Sequence, residues 1–122
     1  MRTFGAGSKH EWRWTAMIMV PDEVSAADFE RARADLARKR PSPAVDKLRL
    51  VRFHEGPAAQ IMHIGPYSAE GPTIERLHAF IRDHGGNFDG RRQKHHEIYL
   101  GDPRRARPEK LRTVIRQPFV EG

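Results

Sequence analysis

Ala58-Ala59-Gln60-Ile61-Met62-His63-Ile64-Gly65-Pro66 is the stretch on which the reading of the fold turns. Its apolar, branched residues closed by Gly-Pro spell a strand running into a tight turn. Pro72 then suits the first turn of a helix. The apolar stripe of that helix is Ile74, Leu77 and Ile81, and Gly85-Gly86 stops it. Upstream, Leu48 to Glu55 reads as another strand, joined to the first as a hairpin through Gly56-Pro57. Before it, Ser25 and Asp28 form a capping box, and Phe29, Ala32 and Leu36 mark one face of a helix running to about Lys39. Pro41 and Pro43 break that helix. Trp12 to Val20, aromatic and Met-rich, reads as a strand ended by Pro21-Asp22. Downstream, residues 86–94 read as a polar loop, His95 to Leu100 as a strand, Pro108-Glu109-Lys110 as one helical turn and Leu111 to Pro118 as a last strand. The predicted order is βαββαββ, an α+β fold with one antiparallel sheet and helices on one face. The predicted organisation is a flexible segment over 1–11, one domain over 12–118 and a tail over 119–122.

Composition narrows the classes. A chain of 122 residues with 38% hydrophobic and 31% charged residues fits one soluble folded domain. No run approaches the roughly 18 apolar residues of a membrane span, and Met1-Arg2-Thr3-Phe4-Gly5 lacks the apolar core of a signal peptide. The absence of cysteine excludes disulfides, thiolate catalysis and Cys-type zinc sites, and makes the cytoplasm the expected compartment. The formal charge is +6, with 22 Lys+Arg against 16 Asp+Glu. Cations gather at Arg31–Arg40 and through the last quarter of the chain, so an anionic partner is permitted. No helix-turn-helix, zinc finger or aromatic stacking platform accompanies them, so a nucleic acid is not the expected partner.

The strand His95–Leu100 carries the sharpest chemistry. Side chains alternate along it, so Ile98 and Leu100 point one way and His95, Glu97 and Tyr99 the other. The apolar pair is expected beneath the helices and Glu97 and Tyr99 on the opposite face. A carboxylate and a phenol there also suit a plain solvated surface. With company they would form a pocket for a flat or cationic apolar ligand. Trp12 and Trp14 share one face of the first strand, Met17 and Met19 the other, and Tyr67 and Glu70 follow the Gly65-Pro66 turn. Rings would supply area and cation–π attraction, and the carboxylate a countercharge.

Other motifs are weaker. His95 and His96 are adjacent on a strand and so face opposite ways, which argues against joint metal chelation with His63. His63, between Met62 and Ile64, reads as a hydrogen-bonded inner-strand histidine. Ser8 and Ser68 have no legible Asp and His partners. Gly5-Ala6-Gly7 has His10 where a phosphate-loop fingerprint needs its third glycine. No cofactor and no metal are expected.

The segments Gln60–Tyr67, His96-Glu97-Ile98-Tyr99-Leu100-Gly101-Asp102-Pro103-Arg104-Arg105 and Lys110–Arg116 resemble the C-terminal half of GyrI-like small-molecule-binding proteins. The resemblance covers roughly residues 11–118. It implies the fold shared with effector-binding domains of AraC- and MerR-type regulators, and a cleft for apolar, often cationic compounds between two pseudo-symmetric modules. It implies Glu97 as the central cleft carboxylate, with Tyr99, Tyr67 and Trp12 or Trp14 lining an aromatic cage. Met17, Met19, Glu70 and His63 complete the candidate ligand-binding set. One branch of the family hydrolyses the cyclopropane of DNA-alkylating natural products, and there Glu97 and Tyr99 would be catalytic. The chain departs from the family in carrying one complete module, Leu48–Pro118, preceded by a strand and helix like the end of another. Either two copies pair as a homodimer and rebuild the missing cleft wall, or the chain is a fragment with reduced function. Three functions follow: binding of a xenobiotic or other small molecule, hydrolysis of a strained ring, or a basic protein- or nucleic-acid-interaction module.

Overall fold

The computed structural model describes residues 13–122, which divide into two compact units: residues 16–54, and residues 13–15 with 55–122. The expected flexible segment 1–11 and Trp12 lie outside the described residues.

In the unit 16–54 the sequence signals for a helix are met. Helix α1 spans Ala26–Lys39. The Ser25 hydroxyl accepts from the Asp28 backbone N–H at 3.1 Å, and the Asp28 carboxylate accepts from the Ser25 N–H at 2.9 Å. That reciprocal pair satisfies two backbone donors that the first turn would otherwise leave open, and it holds the exposed Asp28 carboxyl below its ordinary value. A 3-10 turn, Pro43–Lys47, follows and buries Val45. The helix itself buries no residue. Trp12–Val20 and Leu48–Glu55, both expected as strands, have no ladder among the described residues. Their composition is β-favouring, but β-propensity acts through neighbours across a sheet rather than through the segment alone.

The unit 55–122 is an α+β module. Its strands are β1 Ala58–Ile64, β2 Gly86–Asn87, β3 His96–Tyr99, β4 Arg112–Pro118 and β5 Val120–Glu121, and its helix α2 is Gly71–Asp83. The main sheet is antiparallel in the order β1-β4-β3. β2 pairs with β5 in a second, two-stranded sheet, so residues 119–122, expected as a tail, are built into the fold. The hairpin predicted at Gly56-Pro57 gives way to pairing of Ala58 with Pro118. Gly56 there has φ 73 and Pro57 has no N–H to give a ladder. Gly65, at φ +132, closes β1 while its N–H donates to the Leu111 carbonyl at 2.8 Å.

The covered face of the sheet is the reverse of the expected one. Ile115 is fully buried and packs with Ile74, Leu77 and Ile81 of α2. Residues in register share a face, so Ile61, Ile115 and Glu97 lie together on the helix side, as do His63, Thr113 and Tyr99. Ile98 and Leu100 are on the other face, where Leu100 is half exposed. Period-two alternation sorts residues into two sets, but it does not say which set the helix covers. Outside, Gln60, Arg116 and His96 form a polar row. Arg116 donates to Glu55 at 3.2 Å and to Gln60 at 2.8 and 3.0 Å, and His96 Nδ1 lies 3.1 Å from the Glu55 carboxylate.

Gly86 sits where β2 meets the core. A Cβ there would fall 2.6 Å from Ile81 Cγ2 and 2.9 Å from the Phe119 ring. Gly86→Ala is expected to lower the unfolding free energy by about 1–3 kcal/mol through overpacking. Denaturant unfolding of the two proteins checks this, and equal midpoints would refute the crowding.

Candidate functional site

Glu97 has a side chain only 2% exposed, and the ring Nε2 of His95, 4% exposed, lies 2.7 Å from its Oε2. An ionised carboxylate only accepts, so the imidazole nitrogen facing it carries the proton. The two residues are i and i+2 on one strand edge, which is why they share the helix side. His96 faces the other way, to Glu55, as the alternation predicts. The sequence reading placed His95 beside Glu97 without pairing them. The signal was present in the spacing, and what it lacked was the knowledge that this face is buried.

Tyr99 is next along the same face, and its ring meets Tyr67 edge to face at 5.5 Å between centroids. Both rings remain partly exposed, at 54% and 39%. Tyr67 is brought there by the 3-10 turn Tyr67–Ala69 that links β1 to α2. Its phenol is pushed above the ordinary value by burial first, then by the negative charges of Glu70, Glu97 and Asp102. It therefore stays a proton donor. Glu70 is buried at the start of α2, where its carbonyl accepts from the Ile74 N–H at 2.9 Å.

His63 fixes the turn that carries Tyr67. Its Nε2 lies 3.0 Å from the Pro66 carbonyl and its Nδ1 2.8 Å from the Thr73 hydroxyl. A carbonyl cannot donate, so Nε2 carries the hydrogen and Nδ1 accepts from Thr73. His63 is thus the hydrogen-bonded inner-strand residue expected of it, buried at 6%. Beside it in register, the buried Thr113 hydroxyl has no hydrogen-bond partner among the described residues.

The structure therefore brings Glu97, Tyr99 and Tyr67 together, with Glu70 and His63 behind the turn. Trp14 is 69% exposed. Met17 and Met19 belong to the unit 16–54 and are exposed, and Trp12 is outside the described residues. Among the described residues no group of three or more His, Cys, Asp or Glu is arranged to hold a metal, and no helix is long and apolar enough to cross a membrane.

The GyrI-like small molecule binding domain matches this chain over residues 6–119. No curated protein matches it. Among solved structures, a hydrolase from Listeria innocua is 39% identical with a TM-score of 0.72, over 83% of this chain and 52% of that one. An uncharacterized conserved protein from Listeria innocua is 41% identical with a TM-score of 0.74, over 83% of this chain and 50% of that one. The chain thus spans about half the length of the solved chains it matches.

His78, on α2, adds a pH response. Burial holds its imidazole below the ordinary value of 6.5, reinforced by Arg82 and His95 and opposed by the Gln117 amide. The unfolded chain then binds a proton more readily than the folded one, so stability rises with pH across the window below about 6.5. The contribution is complete above that value and is lost as the pH falls. His78→Phe is expected to flatten the fall in thermal midpoint between pH 7.5 and 5.5. An unchanged slope would show that His78 does not contribute.

Proposed function

The chain belongs to the GyrI-like small molecule binding domain family, and from that membership we propose that its ligand is a flat, cationic small molecule held by Tyr67, Tyr99 and Glu97. The observation that carries this reading is the edge-to-face tyrosine pair set among Glu70, Glu97 and Asp102, a local concentration of negative charge in a chain of net charge +6. Ring faces attract cations, and a desolvated carboxylate supplies the countercharge. Trp12 or Trp14 would add a third ring to the cage. The family's xenobiotic ligands and a cytoplasmic setting belong to this same reading.

Hydrolysis is the second reading, favoured by the relative at 39% identity that is itself called a hydrolase. On a strained, electrophilic cyclopropane, Glu97 would take a proton from water as the water oxygen bonds to a ring carbon. The ring-bond electron pair would move onto the conjugated acceptor, and a protonated phenol, Tyr99 or Tyr67, would donate to it. Incubation with a cyclopropane-bearing electrophile and mass analysis for a gain of one water tests this step.

The binding reading is tested with Glu97→Gln, titrated with thioflavin T and with its neutral analogue 2-phenylbenzothiazole. Affinity for the cation is expected to fall roughly tenfold or more, the scale of losing a charged hydrogen-bond partner, while the neutral compound is unaffected. Equal losses for both would remove the countercharge from the argument.

A homodimer completes the proposal. The unit 16–54 buries Val45 but leaves Ile18 and Met19 91% and 96% exposed, and the solved relatives are about twice as long. A second copy is the partner that would cover these residues, since closed two-fold pairing is the commonest association of identical chains. Sedimentation at micromolar concentration is expected to give twice 14.0 kDa. A single species at the monomer mass would rule the dimer out.

A further inference from the structure

His63 belongs by sequence to the set expected around a ligand, yet both of its ring nitrogens are taken by the protein itself. It is 6% exposed, its Nε2–H donates to the Pro66 carbonyl at 3.0 Å, and its Nδ1 accepts from the Thr73 hydroxyl at 2.8 Å. An imidazole has two polar atoms, and both are used. We propose that His63 and Thr73 are positioning residues: together they hold the turn after β1 in the shape that sets the Tyr67 ring against Tyr99, and so they govern ligand affinity without touching the ligand. The inference rests on the reading of Tyr67 and Tyr99 as the ligand's seat.

The turn that carries Tyr67 departs from β1, but the ring it meets is on β3. His63, Thr113 and Tyr99 are in register across β1, β4 and β3. The two outer strands are therefore roughly 10 Å apart, two ordinary strand spacings, and the path of the turn decides whether the rings meet. Their own packing is partial, since 39% of Tyr67 and 54% of Tyr99 are exposed. The backbone beneath Tyr67 is held instead. The Gly65 N–H donates to the Leu111 carbonyl at 2.8 Å where β1 ends. The Pro66 carbonyl accepts from the Ala69 N–H at 3.0 Å as well as from His63. Thr73 lies in the first turn of α2, so His63 ties the entry of the turn to the helix that follows it. Tyr67–Ala69 itself is a single 3-10 turn, a form with poor hydrogen-bond geometry and little stability of its own. With the His63 bridge cut, the turn samples other shapes, and binding then has to restore the ring pair. That loss falls on any ligand that packs on the rings, whatever its charge. It differs in this from removal of the Glu97 carboxylate, which a cation alone would feel.

Three variants test this. Thr73→Val removes the hydroxyl and keeps the branched shape, Thr73→Ser keeps the hydroxyl, and His63→Phe keeps a flat ring without polar atoms. Each is compared with the wild-type chain well below its own thermal midpoint. The first readout needs no ligand. Proton NMR of the wild-type chain is expected to show a nuclear Overhauser contact between the Tyr67 and Tyr99 rings, lost in His63→Phe and Thr73→Val and kept in Thr73→Ser. The second is calorimetric titration with thioflavin T and with 2-phenylbenzothiazole. His63→Phe is expected to weaken both compounds roughly tenfold, the scale of one well-placed aromatic contact, and Thr73→Val to weaken both about threefold. A residue that only stabilised the fold would lower the midpoint and leave the ring contact and both affinities at wild-type values, and that result overturns the proposal. So does a loss confined to the cation, and so do unchanged affinities where the ring contact is lost. Thr73→Val decides alone if His63→Phe does not fold. Tyr67→Leu separates these outcomes from failure of the seat itself. If Tyr67→Leu binds both compounds as wild type does, the tyrosines do not hold the ligand, and that reading falls together with the proposal. If it binds both weakly while His63→Phe and Thr73→Val keep ring contact and affinity, only the positioning role falls.

Discussion

Strand β4 carries both ladders of the main sheet, and Ile115 at its centre is fully buried against α2. Everything else in this unit takes its place from that contact. β1 and β3 both pair with β4, and their inward residues are those in register with Thr113, Ile115 and Gln117. An isoleucine in such a position contributes on the order of 2–5 kcal/mol against truncation to alanine, a large share of the stability of a small domain. Removing it would also leave Glu97 and Ile61 without the neighbour that sets their facing.

The consequence is a polar inner face. Beside Ile115 the helix side of the sheet carries His63, Thr113, Gln117 and Glu97, residues that cost energy to bury unless their polar atoms are paired. Most are. His63 bridges Pro66 and Thr73, Gln117 donates to the carbonyls of Gln93 and Pro118, and Glu97 meets His95. A sheet face stabilised only by packing would be cheaper to build with aliphatic residues. Polar groups are held there at a cost in desolvation, next to two partly exposed tyrosine rings.

The two clusters of positive charge are less available than composition suggests. On α1, Arg31, Arg33 and Arg38 pair with Asp28, Glu30 and Asp35 at i,i+3 spacing. In the last quarter Arg116 is engaged with Glu55 and Gln60, and Arg104 with Asp102. Such exposed pairs add little stability, but they tie down cations that a polyanion would need. Around Tyr67 the acidic groups are Glu70, Glu97 and Asp102, the last of them paired with Arg104.

Local signals in the sequence determined the helices and the turns. The Ser25–Asp28 box, the stripe Ile74, Leu77 and Ile81, and the stops at Pro41 and Gly85-Gly86 act within a few residues of themselves, so one chain segment suffices to read them. The alternation of β3 likewise determined that His95, Glu97 and Tyr99 share a face and that His96 does not. Tertiary structure alone decided which face α2 covers, because that depends on the partner strand β4, some fifteen residues away. It also decided that Gly86-Asn87 pairs with the chain end. Strands exist only through their neighbours, and a neighbour distant along the chain leaves no mark on the segment it completes. The joining of Glu97 to His95 follows from the same fact: spacing put the two on one face, and only the tertiary structure took their side chains out of water.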